Sequence, residues 1–181
     1  MISRFIKGKT YVFIDASNIF YSQQTLKWKV DYKKFKKYLE KETNLEKIYF
    51  YSGKVGDNLK QNNFLNKLKN LGYIVKVKEV KVIKVSSGVY EKKGNLDIEL
   101  AVDLIKNINK FNSCILVSGD SDFAVLVDEM KKLKKRVVVL STRGHISREL
   151  IERAKYIDLR KLKYKISYKK QNPSKLEGNL E

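Results

Sequence analysis

Strand-length apolar runs alternate with longer segments of helical period along this sequence, and that alternation restricts the possible folds more than any other feature. TYVFID (10–15), SCILVSG (113–119) and RVVVLS (136–141) are continuously apolar, and LEKIYFYSG (45–53) and YIDL (156–159) are also of strand length. A strand that is apolar on both sides has to be covered on both faces. Between the runs, DYKKFKKYLEKE (31–42) places Tyr32, Phe35, Tyr38 and Leu39 on one helical face behind Asp31 as N-cap. DNLKQNNFLNKLKNLG (57–72) predicts a helix with Leu59, Phe64, Leu65 and Leu68 inward, stopped by Gly72. Further helices are predicted at 96–108, 123–133 and 147–154. YIVKVKEVKVIKV (73–85) alternates apolar with charged residues, the pattern of a half-exposed or edge strand, able to pair with another copy in a homodimer or to form a hairpin with 86–91. The pattern predicts an α/β domain with a central, mainly parallel sheet and helices on both faces. Ligands of such sheets sit beyond the carboxyl ends of the strands.

A chain of 181 residues, 43% apolar, sustains one ordinary core. It is read as one domain, 1–160, followed by a basic, flexible tail, 161–181, which holds the only proline. No run of about 18 apolar residues spans a membrane, and the start, MISRFIKGKTYVFID, reads as a first strand, not a signal peptide. The single cysteine, Cys114, excludes an internal disulfide and a cysteine-rich zinc site; inside an apolar strand it serves as a small buried hydrophobe. A cytoplasmic setting fits these features. The formal charge is +19, and all but six of the 39 basic residues are lysine. Such a surface reflects either a lysine-rich composition alone or a polyanionic partner such as nucleic acid.

Acidic residues recur where the strands end. Asp15 closes the first strand, with Asn18 three residues on; Asp120 and Asp122 follow ILVSG; Asp97 opens the helix in KKGNLDIELAVDLI, and Asp103 lies six residues further. Glu99, about 200° round the helix from Asp97, faces elsewhere. Taken singly, Asp122 is equally a helix N-cap, Asn18 a capping or turn residue and Asp103 part of a polar helix face. Taken together, Asp15, Asp97, Asp120 and Asp122 are expected at one sheet edge, where their mutual repulsion is relieved by protonation or by a hard divalent cation. An oxygen-only donor set without histidine or cysteine suits Mg²⁺ or Mn²⁺.

With YVFIDASNIF, KKGNLDIELAVDLI, LVSGDSDFAVLVDEMKKLKKRVVVLS and ISRELIERAKYIDL in this order, the sequence resembles an NYN domain of the LabA-like group, within the PIN-like nuclease superfamily. The resemblance runs from residue 11 to about 160. It implies a Rossmann-like, three-layer PIN-like fold, an acidic pocket for Mg²⁺ or Mn²⁺, and hydrolysis of phosphodiester bonds, most often in RNA. By position it implies Asp15, Asp97, Asp120 and Asp122 as catalytic metal ligands, Asn18 as a further catalytic residue and Asp103 as an additional acid. KGNLD has two residues between Gly94 and Asp97, where many members have one.

The function expected is therefore a metal-dependent endoribonuclease acting on single-stranded or structured RNA; the rival is a non-catalytic RNA-binding or regulatory module on the same fold. Ser118 and Ser121 are candidate hydrogen-bond donors or turn formers. With His145 the only histidine, cleavage by a metal-free histidine pair is excluded. Lys29, Lys92, Lys93, Arg143 and Arg148, with Lys7, Lys9 and Lys27, are candidate phosphate contacts or solvated surface charges. Tyr21, Trp28 and Tyr90 are candidates for base stacking, with core packing the alternative for Trp28. A haloacid-dehalogenase-like phosphatase requires a second acid two residues after Asp15, where this chain has Ser17. A dinucleotide site requires a glycine-rich loop where this chain has DASNIF.

Overall fold

The computed structural model describes residues 1–86 and 89–168, of which 81–86 and 89–93 by their backbone alone. Six strands form one parallel sheet: β1 (Lys9–Asp15), β2 (Asn44–Lys54), β3 (Ile74–Glu79), β6 (Ser113–Val117), β7 (Arg136–Ser141) and β8 (Lys155–Asp158), in the order β3-β2-β1-β6-β7-β8. Two further strands, β4 (Lys81–Ser86) and β5 (Val89–Lys93), make a separate antiparallel ribbon. From β1 the chain builds outward through β2 and β3, then crosses back to place β6 on the other side of β1. The sheet therefore reverses its winding between β1 and β6, which opens a crevice at their carboxyl ends.

The period-2 alternation of each strand sorts its side chains onto two faces. Val12, Ile14, Ile48, Phe50, Ile115, Val117, Val138 and Leu140 meet Phe35 and Leu39 of α2 (Tyr32–Glu42) and Leu65 and Leu68 of α3 (Leu59–Asn70). Tyr11, Phe13, Tyr49, Tyr51, Cys114, Leu116 and Val139 meet Leu100 and Leu104 of α4 (Asp97–Lys106), Val127 and Met130 of α5 (Ala124–Lys132) and Leu150 of α6 (Arg148–Arg153). Continuous burial on both faces explains the unbroken apolar runs, and the three-layer α/β expectation holds. Among the described residues, no helix is long and apolar enough to cross a membrane.

Three local expectations are corrected, and one further helix is found. An unanticipated helix, α1 (Ala16–Leu26), follows β1; it buries only Ile19 and Ser22 and leaves Phe20 and Tyr21 exposed, so no apolar period marks it. The strand expected across 73–85 breaks at Val80, whose N–H donates to the Lys54 carbonyl; beyond it the chain leaves the sheet and forms the hairpin. Leu59, expected inward, is the exposed first residue of α3, and Phe64 is exposed as well, although its ring still packs edge-on against Tyr32 and Phe50. Finally, residues 161–168 are not the start of a tail. Leu162 and Ile166, the latter on α7 (Lys163–Ile166), are fully buried in the first core, and Val30 bridges Ser167. Residues 169–181 of the expected tail lie outside the described residues.

Candidate metal centre at the sheet's switch point

Asp15 is the last residue of β1 and the N-cap of α1. Its Oδ1 accepts from Ser17 N (2.9 Å), from the Ser17 hydroxyl and from Asn18 N (3.4 Å). Its Oδ2 accepts from Ser118 Oγ at 3.0 Å. Ser118, fully buried just past β6, also accepts from Asp120 N at 3.2 Å through the same Oγ. One hydroxyl thus ties the ends of the two strands that flank the switch point. A chain that carries an apolar residue at 118 would leave a buried carboxylate short of a donor, a cost of about 1–3 kcal/mol.

The next residue, Gly119, is required by close approach of backbone. A Cβ there would lie 1.7 Å from the His145 carbonyl oxygen, and Ser147 N donates to Gly119 O at 2.8 Å. Asp120 then caps a short 3₁₀ turn, Ser121–Phe123, its Oδ1 accepting from Asp122 N at 3.0 Å. The capping role open to Asp122 in the sequence therefore falls to Asp120, and the Asp122 side chain projects into solvent.

Asp97 is the first residue of α4 and is half-buried. Asn95 clasps it, Nδ2 donating to Asp97 Oδ2 while Asp97 N donates to Asn95 Oδ1 at 3.3 Å. Gly94 lets the hairpin base close here: a Cβ on it would lie 2.6 Å from Val80 Cγ2 and 2.9 Å from Val80 Cα. The longer KGNLD turn thus delivers Asp97 to the edge where β1 and β6 end. Asp97, Asp120 and Asp122 each offer one carboxylate oxygen, all within 4.8 Å of one another. Burial first, then the negative charges of Asp15, Asp120, Asp122 and Glu99, push the Asp97 carboxyl up to about 6. Three hard oxygen donors with no imidazole or thiolate fit a divalent cation such as Mg²⁺ or Mn²⁺. Asp15 stands close enough to raise Asp97, and each of its oxygens accepts from a serine or backbone donor.

Asn18 Nδ2 donates to the His145 carbonyl (3.4 Å) and its Oδ1 accepts from Ser141 Oγ (3.1 Å), so it ties α1 to the loop after β7. His145 Nε2 lies 2.6 Å from Thr25 Oγ1 on the same helix. Asp103 is not brought to the cluster: it accepts from Tyr51 OH (3.1 Å) and pairs with Lys76 (3.5 Å), while Glu99 pairs with Lys78 (2.8 Å). These contacts fasten α4 to β2 and β3, which corrects the reading of Asp103 as an additional acid. Ser121 is exposed within the 3₁₀ turn.

Among the basic candidates, Arg143 is exposed in the loop after β7 and Arg148 opens α6, its guanidinium on Glu152 at 2.7 Å. Lys29 is exposed beyond the far end of α1, where its carbonyl accepts from Tyr168 N. Lys7 and Lys9 sit at the amino end of β1, across the sheet from the cluster, because a seven-residue strand is about 20 Å long. They are not contacts of this site. The side chains of Lys92, Lys93 and Tyr90 lie outside the described residues. A separate cleft of about 410 Å³, lined by Arg4, Phe5, Lys131, Arg136 and Arg153 among others, lies at that opposite, amino edge and contains no residue of the cluster. The residues that the sequence alone did not pick out as partners are Ser17, Asn95 and Ser141. The two-residue offsets of Ser17 from Asp15 and of Asn95 from Asp97 are the local signals that mark the first two.

The NYN domain family matches residues 9–160, the whole span that carries the sheet and the acid cluster. The chain belongs to the NYN domain family. It is 32% identical over 160 residues to the low amplitude and bright protein LabA of Synechococcus elongatus, with 86% of each chain covered. A crystal structure of a Vibrio parahaemolyticus protein of unknown function superposes with a TM-score of 0.72 at 26% identity, covering 84% of this NYN chain and 93% of that one. The NYN fold is nuclease-like, and this member places a carboxylate group at its switch point.

Proposed function

We propose that this NYN protein is a metal-dependent ribonuclease that hydrolyses phosphodiester bonds of RNA. The observation that carries the reading is the convergence of Asp97, Asp120 and Asp122, one oxygen from each within 4.8 Å, beyond the carboxyl ends of β1 and β6. Without a cation, three carboxylates beside Asp15 repel a phosphate. A bound Mg²⁺ or Mn²⁺ reverses that sign, lowers the pKa of a water and stabilises the charge that grows on the phosphate.

The chain's own residues supply position. Ser118 holds the ends of β1 and β6 in register, the cap from Asp120 to Asp122 N orients both acids, and Asn95 orients Asp97. Asn18 keeps the loop after β7 against α1, and with it Arg143, a candidate phosphate contact. Arg148 serves the same role only when it leaves Glu152. The test is cleavage of single-stranded and structured RNA by the purified chain, with Mg²⁺ or Mn²⁺ and with EDTA. Asp120→Asn is expected to lower the rate on the order of 100-fold or more, the equivalent of several kcal/mol of transition-state stabilisation. Undiminished cutting by that variant, or cutting in EDTA, contradicts the assignment. The engagement of both Asp15 oxygens by serine and backbone donors favours, as a second reading, an RNA-binding module that does not cut. RNA binding by the wild type with no cleavage in either ion would select it.

A further inference from the structure

The outward side of α1 carries a stripe that begins at the acidic site. At 100° per residue, Ser17, Phe20, Tyr21 and Gln24 share one face, at positions i, i+3, i+4 and i+7. All four are exposed, Phe20 by 59% and Tyr21 by 57%, while Ile19 and Ser22 turn inward. Ser17 is in contact with Asp15, so the aromatic pair stands about one helical turn, about 5.4 Å along the axis, beyond that contact. The two rings meet edge to face, with centroids 5.7 Å apart at 74°.

Single exposed apolar residues are ordinary and carry no meaning. Two adjacent large rings, each more than half open to solvent and braced against one another beside the proposed reaction centre, are a different case. Neither fills the core, and the helix gains nothing in water by presenting both. Trp28, just beyond the end of this helix, instead packs partly buried against the first core. The stripe is bounded by polar Ser17 and Gln24, so it does not continue into the wide aliphatic face that a protein helix would need. The net charge of +19 attracts a polyanion to the molecule as a whole.

We propose that Phe20 and Tyr21 form a stacking platform for unpaired nucleobases next to the scissile phosphate, and so select single-stranded nucleic acid. The inference rests on the nucleic-acid reading of the acidic site and adds the substrate class to it. Bases inside a duplex already stack on their neighbours, and only splayed bases present a free face to an aromatic side chain. The platform therefore favours a strand, loop or end over a helix of the same sequence.

The test uses the full chain with a short fluorescent single-stranded RNA, in EDTA and again in Ca²⁺, read by anisotropy. The same strand with abasic riboses and the same sequence as a duplex are the comparison probes. The Phe20→Ala/Tyr21→Ala double variant is expected to bind the base-bearing strand about 10-fold more weakly, and to bind the abasic strand and the duplex as the wild type does. Phe20→Tyr retains wild-type affinity. Unchanged thermal unfolding of the double variant shows an intact fold, since both side chains are exposed. Equal affinity of variant and wild type for the base-bearing strand overturns the platform and leaves the acidic site untouched, because metal-dependent cleavage is scored separately. An equal loss on the abasic strand also overturns it, by showing that the rings do not meet bases. Failure of the wild type to bind any of the three probes overturns platform and nucleic-acid reading together.

Discussion

At the scale of single residues, the acidic site is a contest between repulsion and the donors that offset it. Asp15 is buried yet tolerated because Ser17, Asn18 N and Ser118 point at it. Asp97 has no comparable set, and its carboxyl rises to about 6 through burial and neighbouring charge. A carboxyl raised in the folded state holds its proton across a window where the unfolded chain, near 3.8, has released it. Its contribution to stability therefore falls as pH rises from about 4 to about 6. With cation removed, the unfolding midpoint of Asp97→Asn is expected to exceed that of wild type more at pH 7 than at pH 4. Added Mg²⁺ or Mn²⁺ should close that gap at pH 7, since a cation that binds only the folded carboxylates stabilises them. A gap independent of pH would show that Asp97 is not under this strain. Asp120, Asp122, Asp97 and Asp15 were all legible as strand-end or helix-start acids. That Ser118 completes the donors to Asp15, and that Asp120 and Asp122 crowd Asp97, depended on residues 103 and more than twenty positions away, which no local pattern contains.

At the scale of elements, two connections hold the site together, and each gives a measurable cost. The turn at Gly119 brings the loop after β7 against the end of β6, leaving no room for a methyl group. Gly119→Ala is expected to destabilise by about 1–3 kcal/mol, read by urea unfolding, and to weaken divalent-ion binding by displacing the Asp120 turn. On the far side of the first core, α7 clamps α2, with Asp31 N donating to the Ile166 carbonyl. Ile166→Ala is expected to cost about 2–5 kcal/mol. A cost near zero would mean that 161–168 is the flexible extension the composition suggested. Those eight residues read as a tail because KLKYKISY carries a lysine at 161, 163 and 165, and only Leu162 and Ile166 point inward. Helix α1 is hidden in the sequence for the reverse reason, its two aromatic residues, Phe20 and Tyr21, facing out.

Across the whole molecule, charge separates into an acidic notch on a strongly basic body. A formal +19 draws phosphates to the surface, while the carboxylates admit them only with a cation present. RNA affinity is accordingly expected to fall steeply and linearly with salt on a log–log plot, measured by anisotropy from low to physiological ionic strength. Salt-insensitive binding would contradict the polyanion reading.

By itself, the sequence determined the α/β class, the parallel sheet, most element positions and the identity of the acids at the strand ends. It did so because hydrophobic period and strand-end polarity are local properties of the chain. Only the tertiary structure decided which acids meet: Asp97 joins Asp120 and Asp122, Asp15 stands behind them, and Asp103 turns away to Tyr51 and Lys76. The crossover from β3 to β6, the hairpin that precedes α4 and the direction in which each helix faces set that outcome. These are long-range packing choices, made by two buried cores rather than by any short stretch of residues.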